Sequence, residues 1–487
     1  MKRYITLMLA SAFILSAVSC GSDSKGSDVT TSGDTSSAAD ETTVPGETDG
    51  LPEKDMDGFE LRMIHHDGTW LSWAMTTLDP ESETGDRLND AFYNRNRKME
   101  ERFNCKIKVT GKDMVENTDV QAEVMSGDTN YDVWFMYDIR ILGSIEYLMP
   151  WEELPYINLG KEWWNPMATG VFELGGKTFA AAGNYSLSVL SRASGFAFNK
   201  TIFEQTNPDE DVYALARDGK WTIDKMAAFA KKAYSDLNGD ATMDSEDRYG
   251  ISGSWKETLN RIMLGSGIQY ISKDENDLPV FTLPGDETAI NKILHIYDLF
   301  SDGHVYYNTG KVMDTTGDGL EKEDFAAGKM LFYTANLLSL EQMRDLDIEI
   351  GFLPCPKYDE TQETYYAPSF GAEISVLLKT LPEDRKENVG ILLEALAYDT
   401  NKSIIPEYKE VLLKTKYARD NESEEMIDIM ANSVSFEFGL NAWQNEVANP
   451  LVQKIFVSKN GNVASSLATM QKSVDAQIEK LIETLGK

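Results

Sequence analysis

Cysteine is scarce in this sequence: Cys20, Cys105 and Cys355 are the only three in 487 residues, too few for a disulfide-stapled framework. Histidine is nearly as rare, with four residues. Neither His-Glu-x-x-His, Gly-x-Ser-x-Gly nor a phosphate-binding loop occurs, so the common metalloprotease, serine-hydrolase and nucleotide-hydrolase signatures are missing. His65 and His66 are neighbours on an extended segment, where adjacent side chains point to opposite faces, which argues against a metal pair. A pair of catalytic carboxylates would leave no motif, and 80 acidic residues offer many such pairs. Basic residues number only 46, for a net charge of −34, which excludes the clustered cations that nucleic acid requires and keeps the chain soluble. After Val18 charge interrupts every apolar run well short of the roughly 20 residues needed to span a bilayer. Repeats of solenoid or propeller length are absent as well.

What is present begins at the N-terminus. Lys2 and Arg3 precede the apolar run Ile5 to Val18, the pattern of a secretory signal over residues 1–19. The run closes on Leu15-Ser16-Ala17-Val18-Ser19-Cys20-Gly21, which resembles the lipobox of bacterial lipoproteins. That resemblance implies cleavage before Cys20, acylation of its sulfur with palmitate-type lipid, and anchorage on the outer face of the cell membrane. The alternative is an ordinary secretory signal in which Cys20 is incidental. Residues 20–54 are rich in Ser, Thr, Gly, Asp and Glu and cannot bury enough apolar surface to order themselves. As a flexible tether of about 30 residues they would reach roughly 30 Å.

The remaining body is long enough for two domains or two lobes. Alternating or buried runs at Phe59 to Ile64, Lys106 to Val109 and Tyr131 to Tyr137, with helical spacing at Leu88, Phe92, Met99 and Phe103 and again over Val120 to Met125, read as βαβαβ. This predicts a sheet with parallel strands covered by helices, with ligands beyond the carboxyl ends of the strands. Tyr137, Asp138 and Arg140 fall at that edge. A Gly-punctuated hairpin is expected at Leu174 to Thr178. A second α/β region follows, with strands at 195–199, 249–252, 330–334 and 348–353 and helices at 222–233, 286–300 and 322–328. Beyond it come a strand at Ala372 to Leu378, helices at 383–398 and 423–431, and an amphipathic helix from Val463 to Leu485.

Asp236, Asn238, Asp240, Thr242, Asp244 and Asp247 occupy positions 1, 3, 5, 7, 9 and 12 of a calcium loop. A structural calcium clamping the second lobe is one reading, although Ala241 replaces the turn glycine; an acidic, solvated turn is the other. Cys105 and Cys355 are expected as buried free thiols, with a bridge as the alternative. Cofactor chemistry is not expected.

Several strings in order resemble the extracellular solute-binding family that includes maltose-binding protein: Tyr131-Asp132-Val133-Trp134, Trp163-Trp164-Asn165, Gly195-Phe196-Ala197-Phe198-Asn199-Lys200, Gly219-Lys220-Trp221-Thr222, Arg248-Tyr249-Gly250-Ile251 and Gly351-Phe352-Leu353-Pro354. The resemblance covers about residues 55–380. It implies an α/β, two-lobed periplasmic-binding-protein-like fold of type II, with lobe 1 at 55–198 plus 354–405 and lobe 2 at 199–353 plus 406–487. Chain crossings are then expected near Phe196 to Lys200, near Ile350 to Pro354 and within 400–412. It also implies a monomer that carries a small solute, a carbohydrate above all, to an ABC permease without altering it. A sugar needs flat rings and a polar rim in one cleft. The candidates are Trp70 and Trp73 after the first strand, Tyr137, Asp138 and Arg140, Tyr185 and Ser186 before the first crossing, Trp255, Asn336 and Trp443. Packing is the competing role for each aromatic, and it is the expected role of Trp163, Trp164 and Trp221. A surface glycan binder or sensor without transport, and a binder of another small solute such as a peptide, are the rival functions.

Overall fold

Strand signals become strands where the sequence alternates or runs apolar. Phe59–His66 (β1), Cys105–Lys112 (β2) and Val133–Tyr137 (β3) form first, with the short Leu148–Met149 (β4) and Ala180–Ala181 (β5) after them. Ser194–Asn199 (β6), Tyr249–Gly253 (β7), Ser272–Lys273 (β8), Pro279–Val280 (β9), Tyr306–Asn308 (β10), Met330–Asn336 (β11) and Ile350–Pro354 (β12) follow. Ala367–Pro368 (β13), Glu373–Leu378 (β14) and Val434–Ser435 (β15) complete the set among the described residues. The computed structural model describes residues 48–67, 78–309, 321–343, 346–413 and 421–486. The signal segment, Cys20, nearly all of the tether, and Trp70 and Trp73 lie outside them.

Two mixed sheets carry the fold. The first has the order β2-β1-β3-β14-β4, with β5 also on β14; the second has the order β10-β7-β11-β6-β12. In the first sheet β2, β1 and β3 are parallel, Phe59 facing Cys105 and Met63 facing Val133, as the βαβαβ reading requires. β14 returns antiparallel to β3, setting Glu373 opposite Tyr137. Both sheets belong to the single compact unit Asp49–Lys487.

Helices cover the sheets where capping residues start them. Arg87–Phe103 begins at Asp86, whose carboxylate accepts the Asn89 N–H, and stops at Asn104 in the left-handed region with φ 46°. Helix Ile223–Ala233 is capped by Thr222 and packs on β7, so closely that a β-carbon on Gly250 would lie 2.3 Å from the Ala230 β-carbon. Helix Val463–Thr484 buries Val463, Leu467, Met470, Val474, Ile478 and Leu481, the spacing of one helical face. It touches helix Glu287–Phe300 beside the second sheet and the 3-10 turn Leu142–Tyr147 beside the first.

The chain departs from its expected boundaries in two places. β6 pairs with β11 and β12 along its whole length, so the exchange of sheets falls before Ser194 rather than at Phe196 to Lys200. The expected crossing in 400–412 instead lies inside one helix, Glu383–Leu413, which contains Pro406. The reason is burial: Ile404, Tyr408 and Leu412 continue the buried face of Val389, Leu392, Leu393 and Leu396, so the helix persists through a proline that would otherwise end it.

One carboxylate fastens this helix to the first sheet. Asp132 has a fully buried side chain that accepts from Arg62 at 2.9 Å and from Arg385 Nε at 2.6 Å. Burial alone would raise its pKa, but hydrogen bonds from Arg385 and Arg62 hold it below the usual carboxylate range. Replacing Asp132 with Asn leaves two arginines facing an uncharged amide and should cost about 3 kcal/mol. Equilibrium urea unfolding checks this, and an unchanged midpoint would contradict the assigned role.

Candidate functional site

The carboxyl ends of β1 and β3 meet the start of β14. His66 stacks its ring against Tyr137 with centroids 4.9 Å apart, and the His66 N–H donates to Glu373 Oε1 at 2.8 Å. The Glu373 N–H donates to Ser188 Oγ at 2.9 Å. Burial drives every titration here toward the neutral form. It pushes Glu373 up to about 8 against the pull of the His66 N–H and the Arg192 charge, and it depresses His65 to about 4. Tyr137 is raised by the same cause. Arg192, itself buried, lies within electrostatic reach of Tyr137, Glu257, Asp138 and Arg261. Glu257 and Arg261 come from helix Trp255–Gly265, which follows β7 of the second sheet, and they pair at 2.5 Å. Charged side chains from elements of both sheets therefore converge at this edge.

Asp138 makes a second junction, between the end of β3, the segment before β14 and the C-terminal segment. Its fully buried carboxyl accepts from the Ile139 N–H at 2.8 Å, the Gly371 N–H at 3.1 Å and Asn441 Nδ2 at 2.7 Å. Burial nonetheless pushes it up to about 7. Asn441 Oδ1 in turn accepts the Glu437 N–H at 2.8 Å. Glu437 Oε1 accepts the backbone N–H groups of Tyr270 and Ile271, both at 2.9 Å. A line of buried hydrogen bonds thus runs from Tyr270, beyond helix Trp255–Gly265, through the C-terminal segment to the end of β3.

A cavity of about 430 Å³ opens beside this junction, a size that suits a small ligand. Arg140 and Gly143 line it from the first lobe, Trp443 and Glu446 from the C-terminal segment, and Gln477 and Lys480 from the last helix. Arg140, two residues past Asp138, is held by an ion pair with Glu116 and by a contact with Met114 Sδ at 2.9 Å. Trp443, two residues past Asn441, packs edge-on against Phe438 with centroids 4.8 Å apart. One nearly buried aromatic ring, two cations, a carboxylate and three amides line the same space, so it offers apolar surface together with donors and acceptors.

Of the residues expected at the site, Arg140 and Trp443 are brought together at this cavity, and Tyr137 and Asp138 lie buried just behind it. Tyr185 is a core residue instead: its hydroxyl bonds Ser375 Oγ and its ring packs edge-on against Phe135 and Trp164. Ser186 accepts the Ser188 N–H at 3.2 Å in a helical turn. Asn336 caps helix Leu337–Met343, accepting the Ser339 N–H at 2.9 Å. Trp255 opens its helix half-buried, with the Lys256 ammonium 5.6 Å from its ring, away from the cavity lining. Trp163 and Trp164 are buried and both donate their indole N–H to Glu394 at 2.9 Å, as packing residues would. Arg192, Glu257, Arg261, Glu373, Glu437 and Asn441 were not anticipated. The available signal was a charge or amide set inside an apolar or small-residue stretch, as in Ala372-Glu373-Ile374.

The calcium reading gains no support from the loop. Asp236 accepts the N–H groups of Gly239 at 2.6 Å and Ala241 at 2.9 Å, Asp240 accepts Thr242 at 2.7 Å, and Asp247 accepts Leu237 at 2.8 Å and Asp244 at 2.9 Å. These hydrogen bonds fold the segment into successive turns, and among the described residues no three His, Cys, Asp or Glu side chains are grouped to hold a metal ion. Cys105 and Cys355 are both buried and free, with burial pushing their thiols up to about 11 and about 12.

No family model matches the chain, and no curated protein matches it in sequence. Solved structures do match in fold. The ABC substrate-binding protein Lmo0181 from Listeria monocytogenes, in complex with cycloalternan, superposes with a TM-score of 0.50 at 14% identity, covering 88% of this chain and all of that one. The cyclic alpha-maltosyl-1,6-maltose binding protein from Arthrobacter globiformis gives 0.57 at 14% identity over 87% of this chain, and UspC from M. tuberculosis gives 0.55 at 13% over 86%, each fully covered. The architecture is therefore that of periplasmic-binding-protein-like substrate-binding proteins, the fold anticipated from the ordered strings. At this identity the likeness concerns fold alone.

A pH dependence follows from the buried carboxyls. Glu373 and Asp138 have raised pKa values in the folded state, so their stabilising effect is complete below about 4 and is lost as pH climbs through about 7 to 8. His65 acts oppositely, but only below about 6.5. Unfolding free energy should thus fall between pH 6.5 and 8, and the fall should shrink in Glu373→Gln. Denaturant titrations at the two pH values test this, and equal slopes for both proteins would refute it.

Proposed function

We propose that the chain is an extracytoplasmic solute-binding lipoprotein that captures a carbohydrate between its lobes and presents it to an ABC importer without chemical change. The observation carrying this reading is the cavity in which Arg140 and Trp443 meet, set in a fold shared over most of the chain with substrate-binding proteins. Two of those proteins are described with cycloalternan or cyclic alpha-maltosyl-1,6-maltose, both carbohydrates. The Trp443 face suits the C–H surface of a sugar ring, while Arg140, Glu446, Gln477 and Lys480 suit its hydroxyls. Binding would favour a closed arrangement because the second wall adds contacts that the open one lacks. The lipobox-like Leu15 to Gly21 supports anchorage through Cys20, with the tether holding the body clear of the membrane.

Four measurements test the reading. A thermal-shift screen of mono- and oligosaccharides, amino acids and peptides should show stabilisation by a sugar; stabilisation by peptides alone would favour another solute. Arg140→Ala should weaken sugar binding by roughly tenfold, the scale of a lost charged hydrogen bond, as read by titration calorimetry. Small-angle scattering should show a smaller radius of gyration at saturating ligand, and Cys20→Ser should move the protein from the membrane fraction to the soluble one. Unaltered scattering together with release of a cleaved sugar would overturn the proposal.

A further inference from the structure

A separate hollow of about 410 Å³ is built from the chain after β4 and shares no lining residue with the Arg140–Trp443 cavity. Its apolar side is Ile157, Leu159 and Pro166, all at least partly exposed. Its polar side carries two carboxylates, Glu152 and Glu173, and no cationic side chain lines it. The hairpin brings these acids together: Thr178 lies opposite Glu173 across it, and the Thr178 N–H donates to Glu152 at 3.0 Å. The Lys273 ammonium, within electrostatic reach of Glu173, rests on the main-chain carbonyls of Gly170 and Glu173 rather than on either carboxylate. Thr169, from the helix Pro166–Val171, lines the same hollow. It is only 7% exposed, and its hydroxyl has no hydrogen-bond partner among the described residues.

We propose that this hollow is a second binding site, for an organic ammonium ion whose charge lies between Glu152 and Glu173 and whose hydrocarbon body covers Ile157 and Leu159. It goes beyond the solute reading above and does not rest on it. The volume falls in the range that holds a small ligand. Two neighbouring carboxylates without a counter-ion repel each other, and a bound cation removes that repulsion. A buried hydroxyl without a partner is a further cost. An ammonium group has three N–H donors, which the two carboxylates and Thr169 Oγ1 accept; threonine populates two rotamers in a helix, so the hydroxyl reaches the hollow by turning about χ1. The apolar side disfavours a metal ion, and the acids disfavour an anion. A neutral ligand would leave both charges uncompensated.

The test uses the mature full-length body and two matched pairs of probes: phenethylamine with phenethyl alcohol, and cadaverine with pentanediol. Titration calorimetry at neutral pH should show at least one amine binding about tenfold or more tighter than its alcohol, the scale of a hydrogen bond to a charged group. The net charge of −34 draws cations to the whole surface, so a variant must locate the effect. In Glu152→Gln/Glu173→Gln, which keeps an amide oxygen for the Thr178 N–H, the amine-to-alcohol ratio should fall toward one while the melting temperature of the free protein holds or rises. Thr169→Val should weaken amine binding and leave the free protein at least as stable. Equal affinity for amine and alcohol, a preference that survives the double variant, or no binding of either amine overturns the site. Unchanged amine binding in Thr169→Val overturns the part given to its hydroxyl.

Discussion

The buried carboxyl of Asp138 has no access to water, and three N–H donors from separate stretches of chain are gathered around it. An unpaired acceptor at that depth would cost a few kcal/mol, so the end of β3, the return segment at Gly371 and the C-terminal segment at Asn441 must stay together. Arg140 and Trp443 each follow this junction by two residues. The position of both walls of the cavity is thereby inherited from one hydrogen-bonded knot, and the last helix, reaching both lobes, fills in the remaining side.

Much of the fold was legible because the forces that build it are local. Alternation in β1, the apolar run of β3 and the helical spacing of Leu88, Phe92, Met99 and Phe103 state their structures within a few residues. The long helix through Pro406 was not legible in the same way. Its continuation depends on Ile404, Tyr408 and Leu412 being buried, and the sequence reading ended the helix at 398, before the proline. Likewise the exchange of sheets before Ser194 is set by what β6 pairs with, a fact no spacing reveals.

The site divides along the same line. Arg140 was named because residues just past a parallel strand lie at the edge where such sheets bind ligands, and Trp443 as a ring that could close a cleft from the C-terminal part; both line the cavity. Glu373, Arg192, Glu437 and Asn441 are single polar residues among apolar or small ones, and a sequence does not say whom they meet. The Asp236 to Asp247 loop shows the reverse failure. Acidic side chains at alternate positions suit a metal ion and a series of tight turns alike, and here the turns are formed by backbone N–H groups on these oxygens.

The link from Tyr270 through Glu437 and Asn441 to Asp138 has a consequence for biosynthesis. Its middle members lie near the end of the polypeptide, after every strand of both sheets has been made. During synthesis the strands of both sheets are therefore complete before the residues of this link emerge. A product that stops short of Glu437 would have every strand of both sheets and lack this link.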